Sequence, residues 1–189
     1  PYQGAGRQAA DLSNGVATYR GMWLIQAVMF HVVLIEPEIP PNTGNIARLC
    51  LATGSRLHLV EPLGFSLDER SLRRAGMDYW SQCDIKTWPN YAEFLQNGES
   101  RRQFYLTTKA SRPYWASTFT SGDALVFGRE TKGLPESLLA ANVDSCLRIP
   151  MVEGTRSLNL ANSVGIVLYE ALRQDTGTTM GATLPRTGS

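Results

Sequence analysis

The chain has 189 residues, 43% of them hydrophobic and 19% charged, enough for one globular domain with tails and too apolar for a disordered chain. Eighteen Lys and Arg against 17 Asp and Glu leave a net charge of +1. That excludes a polybasic protein and requires any nucleic-acid contact to be a local patch.

Residues 1–28 open polar and Gly-rich (PYQGAGRQAADLSNGVATYRG) and read as a flexible N-terminal extension ahead of a domain over 29–174. The apolar run Met22–Ile35 is interrupted by Gln26 and His31. It is shorter than the ~20 residues of a spanning helix, so no membrane association is expected. Divided at Met29, it leaves His31–Ile35 as a buried strand. Asn42–Thr53 carries Ile46, Leu49 and Cys50 at helical spacing and stops at Gly54. Arg56–Val60 is a second strand, and Leu67–Ala75 a charged helix stopping at Gly76. Asp84–Trp88 is a weak strand and Tyr91–Gln96 a short helix. Gln103–Thr108 and Ala124–Phe127 are strands, and Pro135–Ala141 is a helix opened by its proline. Cys146–Ile149 is a strand, Ser157–Gln174 the longest helix, and 175–189 a loose C-terminal tail. Strands alternating with helices predict an α/β domain with a mostly parallel sheet and helices on both faces.

Three widely spaced cysteines, Cys50, Cys83 and Cys146, form no C-x-x-C pair and predict reduced thiols in a cytoplasmic protein. His31 and His58 each lie inside an apolar run and read as structural. Neither has a partner at ligand spacing, so no metal site is expected.

Three segments carry chemistry. Pro40-Pro41-Asn42-Thr43-Gly44-Asn45-Ile46-Ala47-Arg48 follows the first strand and opens a helix, where backbone N–H groups can hold an anion. Leu125–Pro135 (LVFGRETKGLP) runs from a strand into a Gly-flanked loop; Gly128 would let a ligand approach the backbone, and Glu130 is an acid, base or acceptor. Ile149-Pro150-Met151 leads into Gly154–Ser163 (GTRSLNLANS), where Asn159 and Asn162 exceed what one helix cap needs. The helix beyond is apolar over so much of its circumference that deep burial or a subunit interface is expected, with Ala161 and Gly165 small enough for close approach of another backbone. No phosphate-loop, dinucleotide or hydrolase-elbow motif is present.

Taken together, N-x-G-N-x-x-R, L-V-F-G-x-E-x-x-G-L-P and S-L-N-L-x-N resemble the three ordered motifs of SPOUT RNA 2′-O-ribose methyltransferases. The resemblance is strongest to the short tRNA wobble-nucleotide enzymes of YibK/TrmL type, through Glu36–Asn45 and Arg73–Tyr79, and spans about Met29 to Gln174. It implies a deep C-terminal trefoil knot, S-adenosylmethionine as cofactor without a metal, and a homodimer with the active site at its interface. Carried onto this chain, it implies a cofactor pocket from Leu106, Gly128, Ile149, Ser157 and Leu158, and catalytic positions at Arg48, Asn45, Glu130 and Asn159. Arg129 and Ala161 stand where proline and serine are frequent.

The implied activity is 2′-O-methylation of the wobble cytidine or uridine of tRNA. The alternatives are a ribosomal RNA 2′-O-methyltransferase and a non-catalytic RNA-binding module on the same scaffold. A guanidinium is a poor general base, so Arg48 is expected to position and polarise the ribose hydroxyl. Arg70, Arg73 and Arg74 on the charged helix, with Arg101 and Arg102 elsewhere, are expected to hold RNA phosphates.

Overall fold

The structure, a computed structural model, describes residues 30–67 and 80–179. The N-terminal extension and the expected charged helix with Arg70, Arg73 and Arg74 lie outside the described residues.

Short runs of β-branched and aromatic residues form the strands. They are β1 (His31–Ile35), β2 (Arg56–Val60), β3 (Ile85–Trp88), β4 (Gln103–Leu106), β5 (Ala124–Phe127) and β6 (Cys146–Leu147). All pair in parallel in one six-stranded sheet of order β3-β2-β1-β5-β4-β6. Parallel neighbours need crossover connections, and among the described residues the helices are α1 (Pro40–Thr53), α2 (Tyr91–Asn97), α3 (Glu136–Ala141) and α4 (Leu160–Thr179).

Alternation along the strands sends side chains to two cores. Val32, Leu34, Leu57, Leu125 and Phe127 pack with Ile46 and Cys50 of α1 and with Val164, Val167 and Leu168 of α4. Val33, Ile35, Val60 and Val126 pack on the opposite face with Phe94 of α2 and Leu139 of α3. Both faces are therefore covered, as the α/β pattern predicts.

Local chemistry sets the ends of the helices. Pro40 and Pro41 occupy the first positions of α1, where no N–H is needed, and Gly54 ends it in the left-handed region at φ 65°. Asn90 caps α2 by accepting the Glu93 N–H at 2.9 Å. Helix α4 differs from its expected span at both ends. It begins at Leu160 because the Asn159 side chain takes the cap, accepting the N–H groups of Ala161 (2.9 Å) and Asn162 (3.2 Å). It runs through Thr179, five residues into the segment expected to be loose. The Gln174 and Asp175 side chains accept the Phe119 and Ser121 N–H groups and tie this end to the sheet.

The histidines are buried and linked. The Trp88 indole N–H can only donate, and it reaches His58 Nδ1 at 2.9 Å. Neutral His58 must then carry its proton on Nε2, which donates to His31 Nδ1 at 2.9 Å. Burial lowers the pKa of both rings, that of His58 to about 3. The three cysteines are thiols, with Cys50 and Cys146 buried.

Candidate active site

Strand order reverses between β1 and β5: the chain builds outward from β1 through β2 to β3, then returns on the other side. Open parallel sheets place ligand crevices at the carboxyl ends of strands near such a switch. A cleft of about 740 Å³ lies there. The chain beyond β4 contributes Leu106 to Lys109, that beyond β5 Phe127 to Leu134, and that beyond β6 Ile149 and Met151. The start of α1 adds Ile39 and Asn42, and the approach to α4 adds Arg156 to Leu160.

Every residue expected in the cofactor pocket lines this cleft: Leu106, Gly128, Ile149, Ser157 and Leu158, together with Glu130 and Asn159. Asn45 and Arg48 do not line it. They are exposed on α1, one and two turns beyond the buried Asn42. Six residues along a helix axis is about 9 Å, so Arg48 stands well away from the cleft residue of its own helix.

Asn42, which sequence reasoning left out of the site, joins its two halves. Glu130 Oε2 accepts the Glu38 N–H at 2.8 Å, and Oε1 accepts the Ile39 N–H at 3.2 Å and Asn42 Nδ2 at 3.0 Å. Asn42 Oδ1 in turn accepts Asn159 Nδ2 at 2.9 Å. One carboxylate thus sits at the positive end of α1, and one amide bridges it to the cap of α4. Reciprocally, the Glu38 carboxylate accepts the N–H and hydroxyl of Thr131 (3.0 and 2.7 Å). Arg129, at an unusual position for the resembled motif, pairs with Glu36, whose backbone lies at φ 53° just beyond β1.

The reason for Gly128 differs from the expectation. A Cβ there would lie 2.2 Å from Gly133 C and 2.3 Å from Leu134 N. The approaching backbone is the loop's own return, closed by the Gly133 N–H on Arg129 O at 2.8 Å. Gly165 differs: a Cβ there would make ordinary contact with Leu49 Cδ2 at 3.9 Å, so no close approach by the described residues requires glycine.

The lining suits a small ligand with both apolar and polar parts. Leu106, Leu134, Ile149, Met151 and Leu158 give apolar walls, and strand-end main chain gives polar edges. No group of three or more His, Cys, Asp and Glu able to hold a metal occurs among the described residues, and no described helix is long and apolar enough to cross a membrane.

Comparison with known proteins agrees with this geometry. A family model described as "SpoU rRNA Methylase family" matches residues 29–169. A tRNA (cytidine(34)-2′-O)-methyltransferase of Escherichia coli is 50% identical over 147 residues, covering 77% of this chain and 94% of that protein. A solved structure titled "Structural insights into the 2-OH methylation of C/U34 on tRNA" superposes with a TM-score of 0.73 at 45% identity, covering 79% and 97% of the two chains. An S-adenosylmethionine-bound rRNA methyltransferase from Sinorhizobium meliloti gives 0.65 at 28% identity, covering 77% and 56%.

Proposed function

We propose that this chain, which belongs to the SpoU rRNA methylase family, methylates the ribose 2′-hydroxyl of the wobble nucleotide of tRNA, cytidine or uridine, with S-adenosylmethionine as donor. The observation that carries this reading is the match to wobble-specific relatives over nearly their whole length, with the expected pocket residues gathered in one cleft.

S-adenosylmethionine supplies an electrophilic methyl group on a sulfonium. Main chain around Leu106, Gly128 and Ile149, with Ser157 and Leu158, would hold it. The protein's remaining task is orientation, which can supply on the order of 7–11 kcal/mol. Arg48 positions the attacking hydroxyl and its neighbouring phosphate and favours loss of the hydroxyl proton to water, with S-adenosylhomocysteine as the other product, while Asn45 supports it from one turn away. Glu130 and Asn159 serve as positioning residues: the Glu130 oxygens hold the start of α1 to the β5 loop, and Asn159 caps α4 with its oxygen and donates its amide to Asn42.

A homodimer belongs to the same reading. Arg48 lies off its own chain's cleft, and Ile166 and Tyr169 of α4 are 38% and 55% exposed, so a second copy could cover this face and receive the arginine. The trefoil knot and the cytoplasmic location follow from the resemblance.

Incubation with bulk tRNA and S-adenosylmethionine, followed by nucleoside mass spectrometry, tests the proposal. New 2′-O-methylcytidine or 2′-O-methyluridine at the wobble position is expected. Methylation of ribosomal RNA alone, or no transfer to either RNA, overturns it. Arg48→Ala should lower turnover about 100-fold, the scale of losing one transition-state donor, with cofactor affinity nearly unchanged. A variant with normal turnover removes Arg48 from the mechanism.

A further inference from the structure

A second polar cleft, of about 580 Å³, opens at the opposite end of the sheet, among the residues preceding β4 and β6. Arg101, Arg102 and Arg112 line it together with Asp144. The methyl-transfer step uses none of them, although the sequence predicts phosphate contacts for Arg101 and Arg102.

The three guanidinium groups differ in how their charge is met. Arg102 grips the fully buried Asp123 by two hydrogen bonds, at 2.9 and 2.6 Å, and is largely committed to the fold. Arg112 donates to two main-chain carbonyls, Asp144 O at 3.3 Å and Ala116 O at 2.9 Å. These fix the guanidinium plane without neutralising it. The stem of Arg101 lies over Gly122, where a Cβ would meet Arg101 Cδ at 3.2 Å. Neither Arg101 nor Arg112 forms an ion pair with another described residue. The turn anchored by Arg112 also presents Trp115, which is 55% exposed and packed edge-on against Tyr114 at 5.1 Å. Two arginines without ion-pair partners among the described residues, one of them fixed by carbonyls on the turn that carries an exposed aromatic plane, have the chemistry of a nucleic-acid platform, with cations for phosphates and a ring for a base.

We propose that this cleft and Trp115 form a second RNA-docking surface, which holds the sugar-phosphate backbone and one unpaired base of the tRNA away from the nucleotide being methylated. The two clefts lie at opposite ends of β4, about 13 Å apart along a four-residue strand, within the reach of one folded RNA. The surface rests on the reading of tRNA as substrate but not on catalysis, because its readout is binding.

The test is titration of the full-length protein with unmodified tRNA at several salt concentrations, with KM for tRNA measured alongside. Arg101→Gln and Arg112→Gln should each reduce the slope of log affinity against log salt by about 1. Trp115→Ala should weaken binding at least about fivefold, and Trp115→Phe should restore it. Cofactor affinity and melting temperature serve as the check that each variant folds. Since Arg112 also ties its turn, Arg112→Lys separates charge from that structural role and should keep the salt slope. Wild-type affinity and slope in the Arg101→Gln, Trp115→Ala double variant overturn the proposal. So does weakened binding of polyglutamate without any change for tRNA, which would assign the cleft to an acidic protein. Absence of methyl transfer by the wild-type protein, with these binding effects intact, would count against the enzyme reading alone.

Discussion

At the carboxyl ends of β1 and β5 carboxylate side chains are pinned to main-chain N–H groups, whereas at the amino ends of β2 to β5 arginine and lysine side chains are paired with carboxylates. Glu130 and Glu38 exchange hydrogen bonds with each other's loops, and Gly128 lets the β5 loop return on itself. At the other end Arg56 reaches Asp84 and Glu99, Lys86 reaches Glu99, and Arg102 reaches Asp123. The difference matches what each end would do. A cleft that must place reacting atoms within tenths of an ångström gains from side chains locked onto the backbone by hydrogen bonds. A surface that meets a flexible polyanion can use side chains that adapt, at the cost of salt sensitivity.

The strongest way to break this contrast is Gly128→Ala. The new methyl would fall on backbone that has no flexible side chain to give way. A loss of about 3 kcal/mol is expected, the upper range for overpacking, together with at least a tenfold loss of cofactor affinity. Gly133→Ala is the matched control: its φ is +68° and a Cβ there meets nothing within 4 Å. Only the left-handed penalty of about 1–2 kcal/mol applies. Denaturant unfolding of both variants checks the order, and equal losses would show that the loop shifts to relieve the crowding at residue 128.

At the amino ends the corresponding substitution is Arg102→Met. It leaves the Asp123 carboxylate buried, with Thr120 N–H at 2.8 Å as a remaining donor. Breaking a buried pair costs about 3–5 kcal/mol. Here the Arg102 side chain is 51% exposed, so about 2 kcal/mol is expected. The loss should shrink in 1 M salt, whereas that of Gly128→Ala should not. If both responded alike to salt, the contrast between the two ends would fail.

How much of this was legible in the sequence depended on the range of the interaction that decides it. β1, β2 and β5 match their expected limits because β-branched runs and their boundaries are local signals. The Gly54 stop was equally local. Asn42 was not: it shares an N-T-G-N run with Asn45, and only partners 88 and 117 residues away, Glu130 and Asn159, show which amide turns inward. Gly128 stands out in the sequence as a place for close backbone approach, but that the returning loop itself makes such an approach is visible only in the structure. The end of α4 lies beyond its expected limit: where the apolar periodicity stops, Gln174 and Asp175 hold the helix by hydrogen bonds to the segment before β5, a long-range signal.

The smallest expected effect concerns the polar relay of the second core. Burial disfavours a charge on His58, and His31, Arg56 and Lys86 disfavour it further, with Glu99 opposing them; protonation would also place a hydrogen on Nδ1 against the Trp88 indole N–H. The folded protein therefore resists a proton that the unfolded chain accepts near pH 6.5. Stability should be level above that pH and fall as the pH drops toward about 3, since the unfolded state then binds more protons. The slope is about 1.4 kcal/mol per pH unit, or about 1.4 kcal/mol lost by pH 5.5, before most carboxylates titrate. Urea unfolding between pH 8 and 5.5 measures it, with His58→Gln expected to flatten the slope even if it lowers stability throughout. A wild-type stability that stays level to pH 5.5 would show that the relay accepts a proton without loss, and that charge can be accommodated well inside the sheet rather than only at its amino ends.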